Sequence, residues 1–143
     1  MTRVEEIMNR QVISVRPEMT LAEAVKLFTE NHVGGAPVVD GRGKIVGMIS
    51  ELQMLEVVFD LDARKALVSD YMIEDFQSAT PQDSLSHVAQ LFAFFSFRGL
   101  PIVEKGRLVG IITRRSLMNY VLQTGELLSE PLVKFIPDLV QIV

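Results

Sequence analysis

Cysteine is absent and histidine occurs only twice among the 143 residues. Disulfide cross-links, thiolate zinc sites and cysteine nucleophiles are thereby excluded, and a cysteine-free chain fits a reducing cytosol. Excess basic charge is also missing. Eighteen acidic residues against fourteen Lys and Arg leave a net charge of −4, which argues against broad nucleic-acid affinity. The richest apolar run, Leu91–Phe97 (LFAFFSF), is followed at once by Arg98. It falls far short of the roughly 18–20 residues of a membrane span. Met1–Arg10 has charges where an export signal has its apolar region, so the expectation is a cytoplasmic protein with no membrane partner. No G-x-S-x-G, P-loop or dinucleotide fingerprint occurs, and no paired carboxylates stand at matching places in the repeats described below. His32 and His87 are unmatched by each other and read as surface residues. The chain is expected to be no enzyme, to need no cofactor and to hold no metal.

What the sequence does contain is itself, twice. Shifting it by 64 residues, Val4 onto Val68, brings VEEIM onto VSDYM and SVRPEMTL (Ser14–Leu21) onto SATPQDSL (Ser78–Leu85). GAPVVD (Gly35–Asp40) meets GLPIVE (Gly99–Glu104) and, after a one-residue slip, KIVGMIS (Lys44–Ser50) meets RLVGIIT (Arg107–Thr113). A tandem duplication is the only economical reading.

Each copy predicts the same series of elements. Val12–Val15 reads as a short strand stopped by Pro17. Thr20-x-x-Glu23 is a capping box that opens a helix with Leu21, Ala24, Val25 and Phe28 on one face. Ser84 opens its counterpart with Leu85, Val88, Ala89 and Phe92. Ala36–Val39 and Ile45–Ile49 flank a turn at Asp40–Gly43 and predict a hairpin. A last helix is expected over Glu51–Phe59 with Leu52, Leu55 and Phe59 inward. Met48, Met54 and Met118 read as core filler, and one of Phe94 and Phe95 as an oligomer contact. The organisation is a first β-α-β-β-α unit at 1–60, a polar linker at 61–67 and a second unit at 68–123. An apolar extension follows at 124–143, expected to pack on the domain or on a second subunit.

G-x-P-V-V-D, a turn, then h-V-G-h-h-[ST], all in duplicate, resembles the CBS-domain pair, or Bateman module. The resemblance covers residues 1–122. It implies an α/β (α+β) fold of two β-α-β-β-α units packed sheet to sheet with pseudo-twofold symmetry, and two clefts that take AMP, ADP, ATP or S-adenosylmethionine. It also implies a disc-like homodimer and a regulated partner protein. In the family, one unit supplies an adenine slot from its first strand and G-x-P segment. The other supplies a hydroxyl and a ribose-holding carboxylate from [ST]-x-x-[DN]. Carried onto this sequence, one cleft combines Ser14, Val15, Arg16, Gly34, Gly35 and Pro37 with Thr113, Arg114 and Ser116. The other combines Ser78, Ala79, Thr80, Arg98, Gly99 and Pro101 with Ser50 and Gln53. The first is better supplied with cationic donors, Arg16 and Arg114. A hydroxyl at a strand-to-helix junction also lies near free backbone N–H groups, a natural anion site whatever the family.

The sequence departs from the family pattern at one telling place. Ser116 and Gln53 stand where Asp is usual. A hydrogen bond to a charged group contributes about 1.5–3 kcal/mol, so its loss weakens ligand binding about ten- to a hundredfold. Two readings stay open for the marked residues. Thr113 and Ser50 act either on a ligand or as helix caps, and the repeated glycines serve either ligand approach or tight strand packing. The functional expectation is an adenosyl-ligand sensor; the alternative is a CBS scaffold that dimerises or docks a partner without a ligand.

Overall fold

Capping and apolar spacing set the two long helices of the first halves of the repeats. In the computed structural model, which describes residues 2–95 and 97–128, helix α1 runs Leu21–Asn31. The Thr20 hydroxyl accepts the Glu23 N–H at 3.2 Å while the Glu23 carboxylate reaches back to the Thr20 N–H, so two orphan donors are satisfied reciprocally. Leu21, Ala24 and Phe28 are buried along one face. The hairpin follows as β1 (Gly35–Val39) and β2 (Ile45–Ser50), antiparallel in the register Gly35↔Ser50 to Val38↔Gly47. Its turn is closed by the Asp40 carboxylate, which accepts the N–H groups of Arg42 and Lys44. Gly43 supplies the required positive φ of 83°.

A short helix α2 (Val68–Tyr71) precedes α3 (Leu85–Phe94), which Ser84 caps by accepting the His87 N–H. Strands β3 (Gly99–Glu104) and β4 (Arg107–Thr113) form a second two-stranded sheet, and α4 (Arg114–Thr124) ends on Gly125 in the left-handed region. That helix stop is the one Gly is suited to.

Two expectations are corrected. First, Val12–Val15 is no strand. A single parallel bridge joins Val15 to Val38, with Val15 N–H donating to Pro37 O and Val39 N–H to Val15 O. Extending that ladder needs an N–H from Pro37 in one direction and from Pro17 in the other, and proline has none. The second copy repeats the device, with Ala79 bridged to Ile102 between Pro101 and Pro81.

Second, Glu51–Phe59 is not an α-helix. Turns lead into a 3-10 helix at Leu55–Val58. With about three residues per turn, Met54 and Val57 face the core while Leu52 and Phe59 are 75% and 83% exposed and Leu55 is exposed as well. The β-branched pair Val57–Val58 and the Phe that follows are weak helix formers. Met118 is also exposed rather than core, and both Phe94 and Phe95 face outward.

In space the compact units regroup the ends of the repeats. Gln11–Phe76 gathers with the turn Lys105–Leu108 into one unit; the described residues up to Arg10, Gln77–Glu104 and those from Val109 onward form the other. The segment 61–67 is folded into the first of these. Asp62–Lys65 is a 3-10 helix, Ala63 is buried and Leu21 N–H donates to Ala66 O at 2.8 Å. Each unit has its own core: Val15, Leu21, Phe28, Val38, Ile49, Met54 and Val68 in one, Val4, Leu85, Val88, Leu100, Ile102 and Ile112 in the other. The extension expected at 124–143 is described only to Leu128; residues 129–143 lie outside the described residues.

Candidate functional site

The sequence singles out seventeen positions, and each unit can be built upward by itself. In the unit of residues 11–76, Ser14 and Arg16 flank Val15, whose two backbone bonds fix the segment against Pro37 and Val39. Gly35 stands opposite Ser50 in the sheet, and Glu51 N–H donates to Gly34 O at 2.9 Å. The fold therefore brings Ser14, Val15, Arg16, Gly34, Gly35 and Pro37 onto one sheet edge, with Ser50 and Gln53 at the strand-to-turn junction beside it. In the other unit Ser78, Ala79 and Thr80 are tied to Pro101 through Ala79 N–H, donated to Pro101 O at 3.1 Å. Arg114 N–H donates to Arg98 O. This sets Arg98 and Gly99 next to Thr113, Arg114 and Ser116.

The two junctions differ in their chemistry. At the start of α4, Ser116 N–H donates to Thr113 Oγ1 and Thr113 N–H to Ser116 Oγ, each at 3.0 Å. The Thr113 hydroxyl donates to Ser116 Oγ and the Ser116 hydroxyl to Thr113 O. A hydroxyl has one donor and two lone pairs, so Ser116 Oγ is fully engaged and Thr113 Oγ1 keeps one lone pair. At the other junction Gln53 Oε1 accepts both the N–H and the hydroxyl of Ser50, each at 2.7 Å. Those two donors fix the orientation of the amide, leaving the Gln53 NH₂ to present donors only. Neither position offers the acceptor that a carboxylate would.

The glycines of h-V-G-h-h have a packing reason. A Cβ on Gly47 would meet Met72 Sδ at 2.7 Å and Ile73 O at 3.0 Å. One on Gly110 would meet Met8 Sδ at 2.7 Å and Asn9 O at 3.2 Å. These are the segments bonded to β2 and β4 through Met48 with Ile73 and Ile111 with Asn9. Close backbone approach within each unit therefore accounts for both residues. Among the described residues no group of three or more His, Asp or Glu could hold a metal ion, and no helix is long and apolar enough to cross a membrane.

The CBS-domain family model matches residues 4–60 and again 68–123. The chain belongs to the CBS-domain family. A CBS-domain protein of Bacillus subtilis, YhcV, is 34% identical over 113 residues, which cover 78% of this chain and 80% of YhcV. Protein MJ1225 of Methanocaldococcus jannaschii is 36% identical over 110 residues, 77% of this chain but only 39% of its own length. Among solved structures, the CBS-pair protein CBSX2 of Arabidopsis thaliana in complex with AMP superposes with a TM-score of 0.80. It is 27% identical, over 88% of this chain and 100% of that one. The β-α-β-β-α expectation thus belongs to a mixed helix and strand CBS pair with two small antiparallel sheets.

Sequence reasoning missed one functional consequence, the donor-only face of Gln53. The signal was the Gln itself, but its meaning depended on which amide atom Ser50 would occupy.

Proposed function

We propose that this chain is a non-catalytic regulatory CBS pair that binds an adenosyl ligand, an adenine nucleotide or S-adenosylmethionine, and passes its occupancy to a partner protein or a dimer interface. One observation supports the reading: each unit holds a G-x-P strand, a bridged first segment and a hydroxyl junction of its own, in a chain similar along nearly all its length to a protein crystallised with AMP. The N-terminus of the 11-residue helix α4, beside Arg114 and Arg98, is a favourable setting for a phosphate, and the lone pair left on Thr113 can accept from a ribose hydroxyl. The reading assigns Arg16, Gly35, Pro37, Ser50 and Gln53 of one unit and Arg98, Gly99, Pro101, Thr113 and Arg114 of the other to ligand binding.

Calorimetric titration with AMP, ATP and S-adenosylmethionine tests this. Saturable binding is expected, weak because no carboxylate holds the ribose. Absence of heat and of any thermal shift at high ligand concentration would sink it. Ser116→Asp is expected to tighten binding about tenfold, since it restores a charged acceptor, and Thr113→Ala to weaken it more than Ser50→Ala does.

A second reading, the ligand-free scaffold, draws on a different feature. Leu52, Leu55, Val58, Phe59 and Leu61 are all exposed, beside a groove of about 380 Å³ lined by Ala22, Val25, Val57 and Val58 with Arg64 at its edge. An apolar surface of this kind suits a homodimer contact. Both readings place the protein in the cytoplasm, with no nucleic acid or membrane as partner. Light scattering separates them: Phe59→Ser with Leu52→Ser is expected to yield a monomer that still binds nucleotide if sensing and dimerisation are distinct.

A further inference from the structure

The net charge of −4 conceals one local reversal. Arg16, Arg42, Lys44, Lys105 and Arg107 are all exposed and belong to one compact unit, that of Gln11–Phe76 with Lys105–Leu108. The backbone gathers them. Ile45 N–H donates to Gly106 O and Leu108 N–H to Gly43 O, both at 3.2 Å, and Lys44 is bridged to Arg107. The turn Asp40–Gly43 and the turn at Lys105–Gly106 therefore lie edge to edge. The two guanidiniums are placed against the first turn itself: a Cβ on Gly41 would lie 3.2 Å from Arg16 Nη1, and one on Gly43 would lie 3.0 Å from Arg107 Nη2. Gly43 is required by its φ of 83°, but Gly41 has no positive φ. What its bare α-carbon provides is room for the Arg16 side chain.

Asp40 and Glu104 offset these five cations only in part. Asp40 is turned onto the backbone, where its Oδ1 accepts the N–H groups of Arg42 at 2.8 Å and Lys44 at 3.0 Å. Glu104 begins the second turn. The ion pair of Lys26 with Glu30, at 3.9 Å, lies elsewhere on α1.

We propose that these paired turns are a receptor for a short polyphosphate chain, with the Arg16 and Arg107 guanidiniums gripping it from either side and Arg42 and Lys44 beneath. A guanidinium offers a planar fork that matches phosphoryl oxygens. A single exposed ion pair contributes at most about 1 kcal/mol, so one phosphate gains little here, whereas a chain of phosphoryl groups engages several cations at once. Nucleic acid fits poorly, because Asp40 and Glu104 interrupt the patch and no aromatic residue stands among the cations for a base to stack on. The phosphate chain could be free or the tail of a nucleoside triphosphate; the chemistry of capture is the same. Arg16 is shared with the nucleotide reading above, yet this site needs no adenosine.

The test is calorimetry on the full chain with inorganic tripolyphosphate and orthophosphate, at low and moderate salt. One molecule of tripolyphosphate per chain is expected, at least about tenfold tighter than orthophosphate and weakened by salt. The double variant Arg42→Gln with Arg107→Gln is expected to lose about tenfold in affinity. Lys26→Gln should change nothing. Arg42→Gln alone, at the exposed tip of a turn, gives a second reading that does not depend on the Arg107 contacts. Equal binding of orthophosphate, unsaturable binding, or unchanged affinity in the double variant overturns the proposal, as does tighter capture of a glutamate-rich peptide than of tripolyphosphate. ATP titrations locate the chain: a tenfold loss for ATP but not AMP in the double variant makes it a nucleotide's tail, and a loss for tripolyphosphate alone makes it a free polyphosphate. Failure of AMP to bind would remove the nucleotide reading and leave this site standing.

Discussion

The stretches after the two h-V-G-h-h strands start from aligned sequences and end differently. After β4, Thr113 and Ser116 close a reciprocal box and α4 runs for 11 residues to Gly125. After β2, Gln53 N–H bonds not to the Ser50 hydroxyl but to its carbonyl at 3.1 Å, while Gln53 Oε1 takes both Ser50 donors. A bond from i+3 to i is the 3-10 closure, and the chain follows it into turns and a 3-10 helix at Leu55–Val58. Both side chains at the third position reach back to take the cap's two donors; the copies diverge in whether the N–H there returns to the cap's hydroxyl or to its carbonyl. Weak helix formers downstream, with Asp62 N–H caught by Asp60 Oδ1 in a turn, complete the change.

The largest test of this contrast is a reversal of side-chain roles. In a helix Leu52 and Phe59 would face the core; in the 3-10 arrangement Met54 does, at 2% exposure. Met54→Ala is therefore expected to cost about 2–5 kcal/mol in urea denaturation. Phe59→Ala should change monomer stability by no more than about 0.5 kcal/mol, as surface substitutions do. Opposite ranks would mean that the segment is helical after all and that the junctions are alike.

The glycines test where the two copies remain equivalent. Gly47→Ala and Gly110→Ala each press a methyl group to within 2.7 Å of a methionine sulfur. Overpacking of this kind costs about 1–3 kcal/mol. Similar losses are expected at both positions, because Met72 and Met8 are packed alike. A loss at one and none at the other would show that the duplicated packing has drifted apart.

Much of this was legible in the letters, and what was not has a physical cause. The capping boxes, the α1 stripe, both hairpins and the duplication depend on local spacing, which sequence displays directly. The bridge at Val15 was hidden because proline's effect on a ladder depends on its partner strand; Pro37 and Pro17 act together only once β1 lies alongside. The grouping of Val4–Met8 with the second repeat and Val68–Met72 with the first is a tertiary choice, seen in Gly110 and Gly47 only after the methionines are placed. Of the candidate site, the local assembly within each unit followed from the motifs. The saturation of Ser116 and the donor-only face of Gln53 are matters of hydrogen-bond capacity that residue identity leaves undecided.

A smaller effect separates the caps. Thr113→Ala removes the acceptor of an N3 N–H and is expected to cost about 1 kcal/mol, with a loss of ellipticity as α4 frays. Ser50→Ala leaves Gln53 Oε1 on the Ser50-position N–H, so a smaller change in stability and none in helix content is expected. Equal losses would show that Ser50 caps as Thr113 does.

The smallest effect concerns the hairpin turns, where the copies differ in charge. The N–H groups of Arg42 and then Lys44 hold the Asp40 carboxyl below its ordinary value of 3.8; Lys105 and Gly106 build the other turn from two positive φ angles instead. A depressed native pKa stabilises the folded state above the unfolded value and loses that contribution as pH falls through the lowered native value. The β1–β2 turn should therefore loosen only below about pH 4. Amide chemical shifts of Arg42 and Lys44 followed down to strong acid would report it. Asp40→Asn should abolish that titration. Persistence of the transition at Arg42 and Lys44 in Asp40→Asn would mean that another group drives it.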